Sequence, residues 1–395
     1  MSALATLYAK RGEETTGSDR TLGTPNIAFL ESIGIECFPD DGSGIDASIG
    51  EVVVSTAIEA SNPGLLKAKA LGIPVVHRAK ALAAALSDRK LVAVAGTCGK
   101  STVTAMLGHV LSECGFDPLC VDGANVPGWT GAVRMGAGEY AVAEVDESDK
   151  SLTAFRPYAA IVTNASADHY SKEEMDEVFD AFVADVPGPV ADGRREAFPP
   201  VECSIPGRHN RANAALALAM AVRLGCGEAA ARAALMTFRG VERRMQRITP
   251  AGASPAVFDD YAHNPEKIKA FWETLAEEHP GGVCVAWRPH GYAPLKKMME
   301  PLAKMFSETV RPCDRLLLLP VYDAGGTADR SVSSAMLAER LPGNLVEECP
   351  DPAAAGERML SRAGEFEAFA FCGARDPALP SAARALADAL ALRRG

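Results

Sequence analysis

The residues best suited to chemistry lie in Gly96–Thr102, which reads Gly-Thr-Cys-Gly-Lys-Ser-Thr between the apolar run Leu91–Ala95 and a helical pattern. Backbone N–H groups and a helix N-terminus then converge on one point, an arrangement that binds phosphate. The Lys100 ammonium can neutralise phosphate charge, and the Ser101 hydroxyl can ligate Mg2+. This is the short GTxGK[ST] form, because Val94 occupies the first glycine position of the strict GxxxxGK[ST] pattern. A chance glycine-rich turn is the alternative.

Two further strand ends carry side chains of the metal-ligand type. The apolar strand Tyr140–Ala143 runs into Glu144 and other acids, and His169 follows the strand Ala159–Thr163. Carboxylate oxygens suit the Mg2+ of a bound nucleotide. The sequence therefore predicts a metal site beside the phosphate loop. A solvated acidic loop is the alternative for Glu144, and an ordinary surface or core histidine is the alternative for His169.

Alternating strands and helices position these residues, which indicates parallel sheets with crossover helices. We predict an α/β protein of three domains: a truncated Rossmann-like domain at 1–88, a central P-loop ATPase-type domain with a parallel or mixed sheet at 89–247, and a Rossmann-like C-terminal domain at 248–395. The first domain opens on a helix near Ala3–Lys10, so its first strand is expected to be missing. The Pro- and Gly-rich stretch Pro187–Pro206 is predicted to be a loop or a trimmed insertion.

Composition and charge limit the classes of function. The 395 residues carry 40 Lys and Arg against 51 Asp and Glu, a formal net charge of −11, which disfavours nucleic-acid binding. No signal peptide and no apolar run of about 18 residues is present, and the ten cysteines lack a CxxC pair. We expect a cytoplasmic monomer or weak dimer whose partners are small molecules, with no membrane partner.

Six ordered motifs resemble those of the Mur ligase family, whose members join amino acids or peptides to a nucleotide-linked sugar in peptidoglycan synthesis. Within the family, the alanine-adding ligases are most similar, and the muropeptide (murein tripeptide) ligases share RRMQ. The motifs are GTCGKST (96–102), AEVDESD (143–149), IVTNASADH (161–169), IPGRHNRANA (205–214), GVERRMQ (240–246) and DDYAHNP (259–265). The first 88 residues are similar to the UDP-sugar domain in TGSD (16–19), VVVSTAI (52–58), NPG (62–64) and IPVVHRA (73–79).

The resemblance implies an ATP-dependent amide ligase that joins an amino acid, most closely L-alanine, to the carboxylate of a UDP-N-acetylmuramate-type sugar nucleotide through an acyl phosphate. It implies one Mg2+ on Ser101 and Glu144, and a second on His169. The implied ATP-binding residues are Gly96, Thr97, Cys98, Gly99, Lys100, Ser101, Thr102, His209, Asn210 and Asn213. The implied catalytic residues are Lys100, Glu144, His169, Arg244, Asp260 and His263. The implied sugar-nucleotide or acceptor contacts are Ser18, Asp19, Ser55, Arg78, Arg288 and His290.

Three departures from the family pattern affect these expectations. The glycine-rich turn that holds the UDP diphosphate is absent, with Met1 in its place, which we interpret as a misplaced start; a defective sugar-nucleotide site is the alternative. The section between His169 and Gly207 is shorter than usual. Two arginines expected to grip the acceptor carboxylate are lost, and Arg288, Lys296 or Lys297 are the possible replacements.

Alternatives remain open for several residues and for the reaction. A helix N-cap is the alternative for Asn210, a solvated pair for Arg243 and Arg244, and a structural loop residue for His290. A muropeptide ligase is the nearest alternative function, and a Mur-like ATP-binding protein without ligation is another. A folate-polyglutamating ligase lacks the TGSD-type first domain, and a generic P-loop kinase would not explain DYAHNP.

Overall fold

The computed structural model of the chain describes residues 1–146, 151–165, 172–323 and 329–393. These residues form two compact units. The first unit contains Met1–Ser204 and Asn210–Gly240, and the second contains Ile205–His209 and Val241–Gly395. The bounds of the three predicted domains stay predictions, because the first compact unit contains most of both of the first two domains.

Residues 1–90 form two separate pairs of parallel strands, β1 with β2 and β3 with β4. The predicted opening helix is confirmed. Asn62 caps α3 by accepting a hydrogen bond from the Leu65 N–H, with Pro63 at the first helical position. The elements are α1 (Ser2–Lys10), β1 (Thr16–Asp19), α2 (Pro25–Ser32), β2 (Glu36–Pro39), β3 (Val52–Val54), α3 (Pro63–Ala70), β4 (Val75–His77) and α4 (Arg78–Ala85).

The next part of the first unit is built on a sheet of strand order β10-β9-β5-β8-β6-β7, parallel except for the pairing of β6 with β7. Residues 91–95 are buried on both faces of the sheet, which is typical of a central parallel strand. The elements are β5 (Lys90–Ala95), α5 (Lys100–Glu113), β6 (Leu119–Val121), β7 (Val133–Arg134), β8 (Tyr140–Glu144), β9 (Ala159–Val162), α6 (Lys172–Val183), β10 (Val190–Asp192), α7 (Arg208–Arg223) and α8 (Glu228–Thr237), with a short 3-10 helix at Ser151–Ala154.

Pro187–Pro206 is predicted from the sequence to be a loop or a trimmed insertion, and the loop alternative is wrong in part, because β10 lies within the stretch and pairs with β9. The strand has only three residues and stands between Pro189 and Gly193, so it leaves no readable alternation in the sequence. It forms because the edge of β9 offers unpaired backbone groups.

A charge cluster fixes the same segment. The Arg194 side chain is only 7% exposed and lies 3.0 Å from Asp176, 2.9 Å from Asp180 and 2.6 Å from Asp192. Asp176 and Asp180 lie on α6, whereas Asp192 ends β10. One guanidinium therefore ties the helix to the added strand.

The second unit contains a sheet of order β11-β12-β16-β13-β14-β15, parallel except for the pairing of β11 with β12. Trp272, Trp287 and Phe306 are among its fully buried side chains. The elements are β11 (Gln246–Arg247), β12 (Ala256–Asp260), α9 (Pro265–Glu278), β13 (Val283–Trp287), α10 (Tyr292–Thr309), β14 (Arg315–Leu318), α11 (Ser334–Ala338), β15 (Val346–Glu348), α12 (Pro352–Ser361), β16 (Ala368–Cys372) and α13 (Ala378–Leu392). Across the described residues of the whole chain, no helix is both long and apolar enough to span a membrane.

Candidate active site

The phosphate loop joins β5 to α5 and depends on two glycines in left-handed backbone conformations. Gly96 has φ 126° and Gly99 has φ 86°. A Cβ on Gly96 would lie 2.1 Å from Thr163 Oγ1, and one on Gly99 would lie 2.5 Å from Asn213 Oδ1. Any side chain at either position would therefore change the loop, which ends in the N-terminal turn of α5.

Asn164, directly after β9, holds the loop from the neighbouring strand. Its Oδ1 accepts hydrogen bonds from Thr97 Oγ1 at 2.6 Å and from the Cys98 N–H at 3.0 Å, and its Nδ2 donates to the Cys98 carbonyl at 3.0 Å. Thr163 Oγ1 donates to the same carbonyl at 2.6 Å. Neither residue was predicted as part of the site, although two polar residues directly after an apolar strand were an available signal.

Lys100 and Ser101 begin α5, where helix N–H groups and the helix dipole favour an anion. The Lys100 Nζ donates to the Gly96 carbonyl at 2.7 Å, so the ammonium lies across the loop. Ser101 is 5% exposed, and its Oγ donates to Glu144 Oε2 at 2.7 Å. Thr102 is also buried in this first turn.

Glu144 ends β8, next to β5, and its carboxylate is fixed from two sides. Its Oε2 accepts hydrogen bonds from Ser101 Oγ and, at 3.1 Å, from the Gly123 N–H. Hydroxyl and carboxylate oxygens are ligands that suit Mg2+, which usually takes one or two carboxylates plus phosphate and water. The residues present therefore fit a nucleotide-bound Mg2+.

The third predicted metal ligand, His169, lies outside the described residues. Within the described residues, no group of three or more His, Cys, Asp or Glu side chains could hold a metal ion. The assignment of metal ligands stays a prediction, supported by the contact between Ser101 and Glu144.

Asn210 and Asn213 both lie in α7 and are buried, with 3% and 8% of their surfaces exposed. Asn213 Nδ2 is 3.5 Å from Asn210 Oδ1, while Asn213 Oδ1 faces Gly99 of the phosphate loop. The N-cap alternative for Asn210 is wrong, because α7 begins two residues earlier at Arg208. His209 belongs to the second unit, and burial lowers the pKa of its imidazole.

The predicted sugar-nucleotide residues of the first domain all lie at carboxyl ends of strands, where ligands bind in open α/β sheets. Ser18 and Asp19 end β1, Ser55 follows β3, and Arg78 follows β4. The Arg78 Nη2 donates to Asp146 Oδ2 at 2.8 Å. This ion pair joins the edge of the first domain to the segment that follows Glu144.

In the second unit, the structure brings together the predicted residues Arg244, Asp260, His263 and His290. The Arg244 guanidinium lies 5.0 Å from the centre of the Tyr261 ring, and the His263 and His290 rings are 4.8 Å apart. His263 Nδ1 is 3.0 Å from the Tyr261 carbonyl, so Nδ1 carries the proton of this contact.

Asp260 is enclosed by backbone donors. Its Oδ2 accepts a hydrogen bond from the Met245 N–H at 2.6 Å, and its Oδ1 accepts one from the Ala262 N–H at 2.7 Å. Burial raises the pKa of the Asp260 carboxyl, and these two hydrogen bonds oppose that rise. The carboxylate thus fixes the backbone around Arg244.

Two of the three cations predicted to hold an acceptor carboxylate, Arg288 and Lys296, already contact acids of this chain. Arg288 Nη1 donates to Asp376 Oδ2 at 2.6 Å, and Lys296 Nζ donates to Asp329 Oδ2 at 2.9 Å. An acceptor carboxylate at Arg288 would have to share it with Asp376. The role of Arg288 stays a prediction.

Comparisons with known proteins point to the same family along most of the chain. Family models match at 1–90 (Mur ligase family, catalytic domain), 94–184 (Mur ligase middle domain) and 243–375 (Mur ligase, glutamate ligase domain). A protein of Arthrobacter sp. (strain FB24) named UDP-N-acetylmuramate–L-alanine ligase is 34% identical, over 86% of this chain and 83% of the relative.

Two solved structures share the fold across nearly the whole chain. The crystal structure of UDP-N-acetylmuramate-alanine ligase from Thermotoga maritima has a TM-score of 0.81 at 23% identity, covering 100% of this chain and 97% of that one. A murein peptide ligase from Psychrobacter arcticus has a TM-score of 0.66 at 19% identity, covering 99% and 96%. With the matched family models and the relative's identity, they lead to one conclusion: the chain belongs to the Mur ligase family.

Proposed function

We propose that this chain is an ATP-dependent ligase that forms an amide bond between L-alanine and the carboxylate of UDP-N-acetylmuramate, a step of peptidoglycan precursor synthesis. Relatives at 31–34% identity over most of the chain carry the name of that ligase. The single observation that carries the proposal is the hydrogen bond between Ser101 and Glu144 beside a glycine-dependent phosphate loop.

The reaction proceeds in two balanced steps. A carboxylate oxygen of the sugar attacks the γ-phosphorus of ATP, which breaks the bond to the β-phosphate oxygen and gives an acyl phosphate and ADP. The neutral amine of alanine then attacks the acyl carbon, phosphate leaves, and the amine loses a proton. Both steps need positive charge around the transferring phosphoryl group.

The residues of the phosphate loop supply that charge in this proposal. The Lys100 ammonium binds the β- and γ-phosphates, and the N-terminal turn of α5 faces the phosphates with its N–H groups. Mg2+ held by Ser101 and Glu144 neutralises phosphate charge when bound. Thr97, Cys98 and the two glycines give the loop its shape.

In this proposal, Arg244, Asp260, His263 and His290 of the second unit act on the transferring phosphoryl group and on the acceptor amine. We assign Arg244 to the transferring phosphoryl group, because its guanidinium is the cation of that cluster that no acid of the unit contacts at hydrogen-bond distance among the described residues. His263 and His290 form the adjacent imidazole pair. Arg288 is assigned to the acceptor carboxylate, which would share its guanidinium with Asp376.

We place the enzyme in the cytoplasm as a monomer or weak dimer. The ten cysteines all lie among the described residues and none of them forms a disulfide, as is typical of a reducing compartment. The substrates of the proposal are small molecules.

The experiment is a substrate panel monitored for phosphate release, with ATP, Mg2+ and UDP-N-acetylmuramate present. We expect release with L-alanine that exceeds release with no acceptor and with L-alanyl-γ-D-glutamyl-meso-diaminopimelate. Preference for the tripeptide would make the chain a muropeptide ligase. No acceptor-dependent release, with nucleotide still bound, would mean a Mur-like ATP-binding protein without ligation.

A further inference from the structure

Two consecutive arginines lie in a strained turn at the start of the second unit. Arg243 has φ 58° and Met245 has φ 48°, so two residues with side chains occupy the left-handed region on either side of Arg244. Each such residue costs about 1–2 kcal/mol of backbone energy. A turn of this kind persists only where its surroundings fix it.

The backbone of the turn is fixed by the end of β12. The Tyr261 N–H donates to the Arg243 carbonyl at 2.8 Å, and the Met245 N–H donates to the Asp260 carboxylate. The Arg243 N–H donates to Gln246 Oε1 at 2.9 Å. These bonds hold the residues on both sides of Arg244.

The Arg243 side chain is committed to the ends of two adjacent strands. Its Nε donates to Asp259 Oδ2 at 3.2 Å, and its Nη2 donates to the Gly373 carbonyl at 2.5 Å. Asp259 lies on β12 and is fully buried, and its Oδ1 has no hydrogen-bond partner among the residues that the structure describes. The buried carboxylate therefore depends on Arg243 as its counter-charge, because an unpaired buried charge is costly.

Arg244 differs from its neighbour in this respect. Within the described part of the chain, its guanidinium makes no hydrogen bond or ion pair, and it lies over the Tyr261 ring. Arg243 also lies over that ring, 5.2 Å from its centre. The Arg243 guanidinium is therefore held through both its Nε and its Nη2, whereas the position of the Arg244 guanidinium depends on the turn and the Tyr261 ring.

We propose that Arg243 and Asp259 are positioning residues, which hold the strained turn so that Arg244 presents its guanidinium to the transferring phosphoryl group. The inference rests on the proposed function, in which Arg244 acts on that group. Arg243 thus anchors the turn, and Arg244 acts on the phosphoryl group.

The test measures steady-state kinetics of Arg243→Lys and Asp259→Asn. Lysine keeps a positive charge beside Asp259 but cannot reach both Asp259 and Gly373. We expect kcat to fall about 10–100-fold in each variant, with KM for ATP, sugar nucleotide and amine changed less than about threefold, because positioning acts on the reacting geometry. The matched control is Arg247→Lys, since Arg247 also donates to backbone carbonyls, those of Thr249 and Ala253, and should keep its kcat.

A double-mutant cycle separates positioning from general support of the fold. In an Arg244→Met background, adding Arg243→Lys should lower kcat less than about twofold further, because the group that it positions is gone. Losses that multiply, or an unchanged kcat in Arg243→Lys and Asp259→Asn, would overturn the inference. If Arg244→Met alone keeps full activity, the proposed role of Arg244 fails first, and the inference fails with it. If circular dichroism shows that one of the two single variants is unfolded, the kcat of the other variant decides the test.

Discussion

Substitution of Gly123 by alanine tests whether the Glu144 carboxylate must stay where it is. A Cβ added to Gly123 would lie 2.6 Å from Glu144 Oε2 and 2.8 Å from Cδ. The glycine itself is exposed, and its φ is not in the left-handed region, so alanine is compatible with the backbone. The clash falls on the movable end of one side chain.

The size of the effect follows from these distances. The carboxylate must retreat by about 0.8 Å to reach ordinary contact, while a functional site tolerates about 0.5 Å. The same oxygen accepts the hydrogen bond from Ser101, so both proposed Mg2+ ligands are disturbed. Shifts in the support of a ligand cost about 10–100-fold in metal affinity or activity, or about 1.4–2.8 kcal/mol.

The assay is phosphate release as a function of Mg2+ concentration at saturating ATP. We expect the half-saturating Mg2+ concentration of Gly123→Ala to rise at least about tenfold. Its melting temperature should stay within about 4 °C of the wild type, because the lost glycine freedom and the disturbed hydrogen bonds of Glu144 act in opposite directions. Gly50→Ala is the control, since its Cβ would meet nothing within 4 Å. Superimposable Mg2+ curves for Gly123→Ala and the wild type would refute the placement of the metal on Glu144.

Three further predictions concern the loop and the buried acid. Lys100→Ala should lower kcat at least about 10³-fold, with a melting temperature within about 2 °C of the wild type. The control Lys90→Ala, at the other end of β5, should keep the wild-type kcat. An equal kcat in the two variants would show that Lys100 does not contact the phosphates. In calorimetric titrations, Asn164→Ala should raise the Kd for ATP about tenfold, and adding Thr97→Val should raise it little further. Additive losses of binding free energy in the double variant would contradict the hydrogen bond between the two side chains. Burial raises the pKa of Asp259 from 3.8 to about 6, so its contribution to stability is complete below 3.8 and is lost as pH rises through about 6. The melting temperature of Asp259→Asn relative to wild type should therefore increase between about pH 4.5 and 7, and a constant difference would contradict the raised pKa.

The phosphate loop could be predicted from sequence because its chemistry leaves few choices of residue. Gly96 and Gly99 are required by their backbone angles, and Lys100 and Ser101 by the charge and the hydroxyl that a nucleotide needs. The position of Glu144 at the end of an apolar strand predicted it as a metal ligand, and the structure places its carboxylate against Ser101.

Other parts of the site depend on which strands are neighbours, and sequence order does not give this. Asn164 is 66 residues away from Cys98 along the chain, yet it holds the loop because β9 pairs with β5. Arg243 and Arg244 are identical in type and adjacent, so only their contacts separate an anchored guanidinium from a presented one.

The Arg194 cluster bears on how far this protein could be shortened by engineering. The stretch Pro187–Pro206 around it is rich in proline and glycine, so the sequence alone would suggest it as a place for a deletion. Yet three aspartates converge on that single cation, which is almost hidden from water. A deletion that removes Arg194 but keeps Asp192 would leave only Arg195, 2.5 Å from Asp180 and 3.9 Å from Asp192, to balance three carboxylates, so a tolerated deletion there must carry a replacement for the buried cation.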